Sequence, residues 1–228
     1  DLVFSGDKGG DYVETDRTDP VTVYGRTMVE GEQVVLETDP GACILRISLP
    51  MAVSFNGHAG AVDWIASRFR KSRPATLYYD EIRTPTYGDC LSRLCEIMLA
   101  RSFSGIYHAG GPRKLSLYQI AQVINRVGGY DPKLLFGLSR LHAGPIPPRA
   151  GDVTMDSSKL IEALGYNPFT PWPLDDRFAP THRTWHHERP AHEPRGPEVL
   201  HELLCVNPAA DVGPVIPCEP GRHYGVRA

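Results

Sequence analysis

The chain has 228 residues, 41% of them apolar and 22% charged, an ordinary globular composition that excludes a disordered or fibrous polymer. Its 24 basic and 27 acidic side chains leave a net charge of -3, so no electrostatic footprint marks nucleic acid or an anionic membrane as a partner. No apolar run approaches the ~18 residues of a membrane span, and the opening Asp1-Leu2-Val3-Phe4-Ser5-Gly6 lacks the basic and apolar regions of a secretion signal. A cytoplasmic protein is expected. The five cysteines (Cys43, Cys90, Cys95, Cys205, Cys218) are odd in number and form no C-x-x-C pair, which argues against a disulfide framework or a cysteine zinc site. Cys43, Cys90 and Cys95 sit in apolar patterns and are expected to be buried.

In chain order, Tyr24 opens a helix along which Met28, Val34 and Val35 recur as apolar positions. Ala42 to Ser48 follows a turn at Asp39-Pro40-Gly41 and reads as a buried strand. Ala61 to Phe69 reads as a helix and Ala75 to Tyr79 as a second strand. Leu91, Leu94, Cys95, Met98 and Leu99 follow helical spacing and predict a helix from Gly88 to Arg101 with that apolar face. Gly105 to Ala109 is a further strand. Ser116 caps an amphipathic helix that Gly128-Gly129 ends, and Asp156 can cap a last helix closed by Gly165. Strands alternating with helices indicate an α/β domain, placed at residues 1–175. Composition then shifts: from Asn167 onward the chain holds 11 of its 21 prolines and 6 of its 9 histidines, with one helix-like segment, Glu198 to Leu204. Residues 176–228 are therefore expected to be an irregular Pro/His-rich tail. His182 and His186 stand four apart, but Pro180 and Pro190 bracket them and no third ligand is preorganised, so solvated histidines and no metal site are expected.

Three segments carry chemistry. The first runs from Pro20 through Tyr24-Gly25-Arg26-Thr27-Met28 to Glu32, preceded by Asp1 to Gly6 and the acidic Glu14-Thr15-Asp16. The second is Asp80-Glu81-Ile82-Arg83-Thr84-Pro85-Thr86-Tyr87-Gly88-Asp89, where Asp89 can cap a helix and Arg83 can reach an anionic ligand. The third is Arg149-Ala150-Gly151-Asp152 followed by Asp156-Ser157-Ser158-Lys159 and Leu164-Gly165-Tyr166, with an arginine fork suited to paired phosphate oxygens. In this order and spacing they resemble the extended short-chain dehydrogenase/reductases, and within them the dTDP-4-dehydrorhamnose reductase branch, whose tyrosine helix reads Y-G-x-[ST]-K-x-x-x-E. Leu45-Arg46-Ile47-Ser48 and Tyr107-His108-Ala109-Gly110-Gly111 match further family strands.

The resemblance implies an incomplete Rossmann-type fold: the family's first half, with its glycine-rich phosphate loop, has no counterpart here. It implies NADP or NAD as cofactor, a nucleotide-sugar substrate, and a homodimer through helices like that of Tyr24. Tyr24 would be the general acid and would touch the cofactor, while Ser48, Asn56, Arg83 and Arg149 would contact the substrate. His108, without a visible carboxylate or nucleophile partner, reads as a satisfied core histidine. The family places a lysine four residues after the tyrosine, on the same helix face, to lower a phenol pKa that is otherwise near ~10. This chain has Met28 there. Two functions follow: a 4-keto sugar reductase weakened by the missing ammonium, or a non-catalytic relative resembling the regulatory β subunit of methionine adenosyltransferase.

Overall fold

The computed structural model describes residues 1–54 and 60–206. The first helix, α1 (Val23–Thr38), begins where the Thr22 hydroxyl accepts the Gly25 N–H. Strands β1 (Cys43–Ile47) and β2 (Pro50–Met51), helix α2 (Ala61–Arg70) and strand β3 (Ala75–Tyr78) follow. Then come β4 (Ile82–Arg83), β5 (Thr86–Tyr87), helix α3 (Gly88–Ala100), β6 (Gly105–Ala109) and β7 (Leu115–Ser116). Helix α4 (Leu117–Val127), strand β8 (Leu135–Leu138) and helices α5 (Ser158–Leu164) and α6 (Pro197–Glu202) complete the order. The strands form two-stranded ladders: β1 with β6, β2 with β5 and β3 with β8 in parallel, and β4 with β7 antiparallel. The parallel ladders require helical crossovers, and the helices α2, α3 and α4 lie between their members in sequence. The expected mixed α/β architecture is present.

Helix α4 organises the main core. Its N-terminus is closed by a reciprocal capping box in which the Ser116 hydroxyl accepts the Gln119 N–H at 3.1 Å and the Gln119 side chain accepts the Ser116 N–H at 2.9 Å. Tyr118 and Ile120 through Val127 are buried, so the helix has no solvent face of ordinary width. It packs on α2, β3, β7, β8 and α6. A second, smaller core joins Val3, Phe4, Tyr12, Ala150 and Val153, with the Phe4 and Tyr12 rings stacked at 4.1 Å.

The structure corrects several expectations. Cys43 and Cys95 are exposed, and Leu99 is 89% exposed. The inner face of α3 is made by Cys90, Leu91, Leu94 and Ile97, rotated from the face read in sequence because apolar residues flank both sides of that stripe. Cys43 opens β1, whose inward residue is Arg46. Met28, Val34 and Val35 of α1 are exposed, because α1 is held by Gly25, by partly buried Val29 and by a forked ion pair between Glu32 and Arg46 at 2.9 and 2.7 Å. In α5 the N-cap is Ser157, one residue after Asp156, whose carboxylate accepts the Ser158 N–H.

Among the described residues, 176–206 have little regular structure and lie along α4 as a strap. Tyr118, Gln122, Asn125 and Arg126 turn a polar stripe toward it. The Gln122 amide donates to the carbonyls of His182 and Arg183 and faces His186 Nδ1 at 3.2 Å. Arg126 holds Glu193 by two bonds of 2.9 Å and stacks 4.1 Å from the Trp185 ring centre. Arg189 donates to the Asn125 side chain at 2.8 Å and to the Tyr130 carbonyl. Farther on, Leu200 and Leu204 enter the main core, the Leu203 carbonyl accepts from the Trp172 indole, and the Val206 N–H donates to Asp89.

His186 is therefore buried, not solvated as its polar neighbours suggested: 2% of it is exposed. Desolvation, with the adjacent His187 and Arg189, lowers its pKa from 6.5 to about 4. Between those values an unfolded chain binds a proton that the folded chain refuses, so stability rises with pH across that window. Unfolding midpoints should fall as pH drops from 6.5 towards 4, with a slope of one proton at this site. A His186→Gln variant should flatten that slope, and an unchanged slope would show that the strap does not hold His186 neutral.

Candidate functional site

The loop that leads into the site is shaped by Gly6, Gly9 and Gly10, all at positive φ, which carry the chain around the Tyr12 hydroxyl. That hydroxyl accepts the N–H groups of Gly6 and Lys8, each at 3.2 Å. The Ser5 N–H and hydroxyl both bond to the Asp19 carboxylate. These contacts seat Asp1 to Phe4 against β1, with the Asp1 nitrogen 2.8 Å from the Ile47 carbonyl oxygen.

From Asp1 a chain of buried polar groups crosses the domain. Ser48, 3% exposed, donates its hydroxyl proton to Asp1 Oδ2 at 3.0 Å and accepts the Thr84 N–H at 3.2 Å. Arg83, on β4, places Nε 3.5 Å from Asp1 Oδ2 and Nη2 3.8 Å from Glu81 Oε2. Its Nη1 donates to the carbonyls of Ile82 and Gly151 at 2.9 and 3.0 Å. Glu81 is 1% exposed and takes both Nε and Nη2 of Arg149, whose guanidinium also lies 4.9 Å from the Tyr78 ring centre. Burial pulls the Arg83 pKa down to about 10, an effect that Glu81 opposes and Arg149 assists. The hydrogen bond to Glu81 pushes that of Arg149 up.

Three of the residues singled out in sequence, Ser48, Arg83 and Arg149, thus belong to one array, joined through Asp1 and Glu81. Asn56 lies outside the described residues. Tyr24 stands apart from the array: it is 59% exposed on α1, with Met28 one turn along, also exposed. The placement of Tyr24 is nevertheless fixed, because a Cβ on the neighbouring Gly25 would overlap the Leu2 carbonyl oxygen and approach Pro20. His108 is fully buried, its Nδ1 3.0 Å from the Tyr12 carbonyl oxygen and its backbone N–H on Glu14, the satisfied core histidine expected. Burial lowers its pKa. Asp89 spends its carboxylate on Val206. Thr84, whose N–H serves Ser48, also borders a shallow cavity of about 210 Å³ with Asp11, Gly110, Lys114 and Phe169.

Sequence reading missed Glu81, Glu32 and Arg46. Glu81 was visible as the residue two before Arg83, and in an antiparallel β4–β7 context alternate residues share a side, which is a usable signal. Glu32 closes the tyrosine-helix motif, and its partner Arg46 sits in the matching strand, but nothing local reveals that the two meet.

The glycine-rich turn among the described residues is not a dinucleotide phosphate loop. The N–H groups of the glycine-rich turn at Gly6 and Lys8 are used by Tyr12, the turn opens no helix, and Met28 offers no donor to a ribose hydroxyl. Among the described residues no group of three or more His, Cys, Asp or Glu could hold a metal ion. No described helix is long and apolar enough to cross a membrane.

Compared with known proteins, residues 1–174 match the family described as the RmlD substrate binding domain. The chain is 27% identical over 171 residues to the methionine adenosyltransferase 2 subunit beta of Danio rerio, covering 72% of this chain and 52% of that protein. It is 31% identical over 179 residues to the dTDP-4-dehydrorhamnose reductase of Mycolicibacterium smegmatis, covering 75% and 52% respectively. It thus spans about half the length of these relatives. Among solved structures, the NADP complex of dTDP-4-dehydrorhamnose reductase from Bacillus anthracis superposes with a TM-score of 0.63 at 21% identity, covering 75% of this chain and 59% of that one. That likeness is one of fold.

Proposed function

Since the chain belongs to the RmlD substrate binding domain family, we propose that it forms the nucleotide-sugar-binding part of an NAD(P)-dependent reductase of the dTDP-4-dehydrorhamnose reductase type. The observation that carries this reading is the buried array from Ser48 through Asp1, Arg83 and Glu81 to Arg149, a costly arrangement of charges to keep unless it serves a ligand. NADP or NAD supplies the hydride in such a reaction, and Tyr24 is the residue of this chain assigned to touch it. Tyr24 donates the proton that the sugar's C4 oxygen gains. Arg149 keeps Nη1 for a diphosphate oxygen while Glu81 orients the rest of its fork. Ser48 and Asn56 are assigned to the sugar side. Residues 1–175 carry the site and the later residues brace it. The same reading assigns the protein to the cytoplasm and, by resemblance of the Tyr24 helix, to a homodimer.

Met28 favours a second reading, in which the scaffold binds but does not catalyse, like the methionine adenosyltransferase β subunit it resembles. The test is hydride transfer from NADPH to dTDP-4-dehydrorhamnose by the full-length protein, beside Met28→Lys and Tyr24→Phe variants. Met28→Lys restores an ammonium one turn from the phenol and should raise turnover about 100-fold, the scale of one well-placed acid–base group. Tyr24→Phe should abolish it. Activity that appears only in Met28→Lys would favour the binding protein, and no binding of any nucleotide sugar would end the reductase reading.

A further inference from the structure

Three guanidinium groups meet around Gly151, those of Arg83, Arg149 and Arg140. Arg83 donates to the Gly151 carbonyl at 3.0 Å, and Arg149 is two residues earlier in the chain. The third is Arg140, in the short turn after β8. A Cβ built on Gly151 would stand 2.6 Å from Arg140 Nη2 and 3.3 Å from Cζ, so the missing side chain is what admits this guanidinium. Its backbone is pinned by Asp80, whose carboxylate accepts the Arg140 N–H at 2.8 Å and the Ser139 hydroxyl at 2.6 Å. The tetrapeptide Asp80-Glu81-Ile82-Arg83 therefore contributes one arginine and positions the other two.

The three differ in what they have left to give. Arg83 is occupied by two carbonyls and two carboxylates, and Arg149 has two of its nitrogens on Glu81. The Arg140 guanidinium has no hydrogen bond or ion pair with any described residue, and its Nε is buried without a partner. The residue as a whole is only half-buried, so its outer nitrogens stay within reach of a ligand while the buried Nε lacks an acceptor, which carries a desolvation cost. Paired oxygens of a phosphate would supply the acceptors in the geometry a fork prefers.

We propose that Arg140 is an anion-reading residue of this site and binds the diphosphate of the nucleotide-sugar ligand, an assignment that rests on the function proposed above. Arg149 shares that anion through its remaining Nη1, and Arg83, its donors spent, contributes charge and shape.

Calorimetric titration of the 228-residue chain with dTDP, UDP and inorganic pyrophosphate tests this, using Arg140→Met, Arg140→Lys and Gly151→Ala. Loss of charge-assisted hydrogen bonds should weaken diphosphate binding about tenfold to a hundredfold in Arg140→Met. Arg140→Lys should fall between, since a point charge replaces the fork. Gly151→Ala should resemble Arg140→Met, because its methyl group evicts the guanidinium without removing it, which keeps the test open if Arg140→Met does not fold. Equal binding by wild type and Arg140→Met would overturn the assignment and leave the function reading standing. Pyrophosphate binding that depends on Arg140, with neither nucleotide bound, would support the anion site and overturn the nucleotide-sugar reading. A wild-type chain that binds none of the three would overturn both.

Discussion

Replacing Glu81 with alanine is expected to cost about 3–5 kcal/mol of stability, the range for removing one member of a buried ion pair. The carboxylate is 1% exposed and serves two arginines. Their fates differ. Arg149, with 42% of its side chain exposed, can turn to water when its partner goes. Arg83 cannot: only 7% of its side chain is exposed, and it would retain one carboxylate, that of Asp1 at 3.5 Å. Most of the cost should therefore sit on Arg83, and Glu81→Ala combined with Arg83→Met should recover part of it, since the buried guanidinium left short of a carboxylate is then gone, Arg149 can turn to water and Asp1 keeps the Ser48 hydroxyl. Urea unfolding of the two variants measures this. A loss below about 1 kcal/mol for Glu81→Ala would mean that water already reaches the array, as it does at exposed ion pairs.

Removing everything after Leu174, the last residue of the family match, should have a larger effect still. Gln122, Asn125 and Arg126 are 1%, 0% and 5% exposed, and each bonds to strap residues about 60 positions later. Trp185, Leu200 and Leu204 leave the main core in the same cut. Trp185→Ala alone should cost about 3–5 kcal/mol, which already approaches the whole stability of a typical domain. The shortened chain is expected to lose its cooperative unfolding transition and to bind hydrophobic dye at neutral pH. A sharp transition near that of the intact chain would show that the strap only rests on α4.

Both results concern features that were hard to read in sequence, and for a common reason. Helix starts and strands were legible because their signals are local: Thr22 and Ser116 act within three residues, and the aliphatic run at β1 is continuous. The polar stripe of α4 was not, because Gln122 and Arg126 look like solvent-facing residues until their distant partners are known. His186 misled in the same way. The α3 face was misplaced by one helical step because Cys95 and Leu99 offered an equally good stripe. Of the candidate site, the family motifs delivered Ser48, Arg83 and Arg149 to one array; Glu81 lay within the second motif without a role, and Arg140 belongs to no motif and emerges only when the strands are assembled.

The contact between Gly25 and the Leu2 carbonyl has a mechanical consequence. Most helices ride on side chains that can change rotamer and absorb a displacement of an ångström, but here backbone rests on backbone with nothing compliant between them. The first turn of the chain and the start of α1 consequently move as one body, and Tyr24, the next residue, inherits every displacement of Asp1 to Phe4. Thermal motion at the phenol should track that of the segment beneath it.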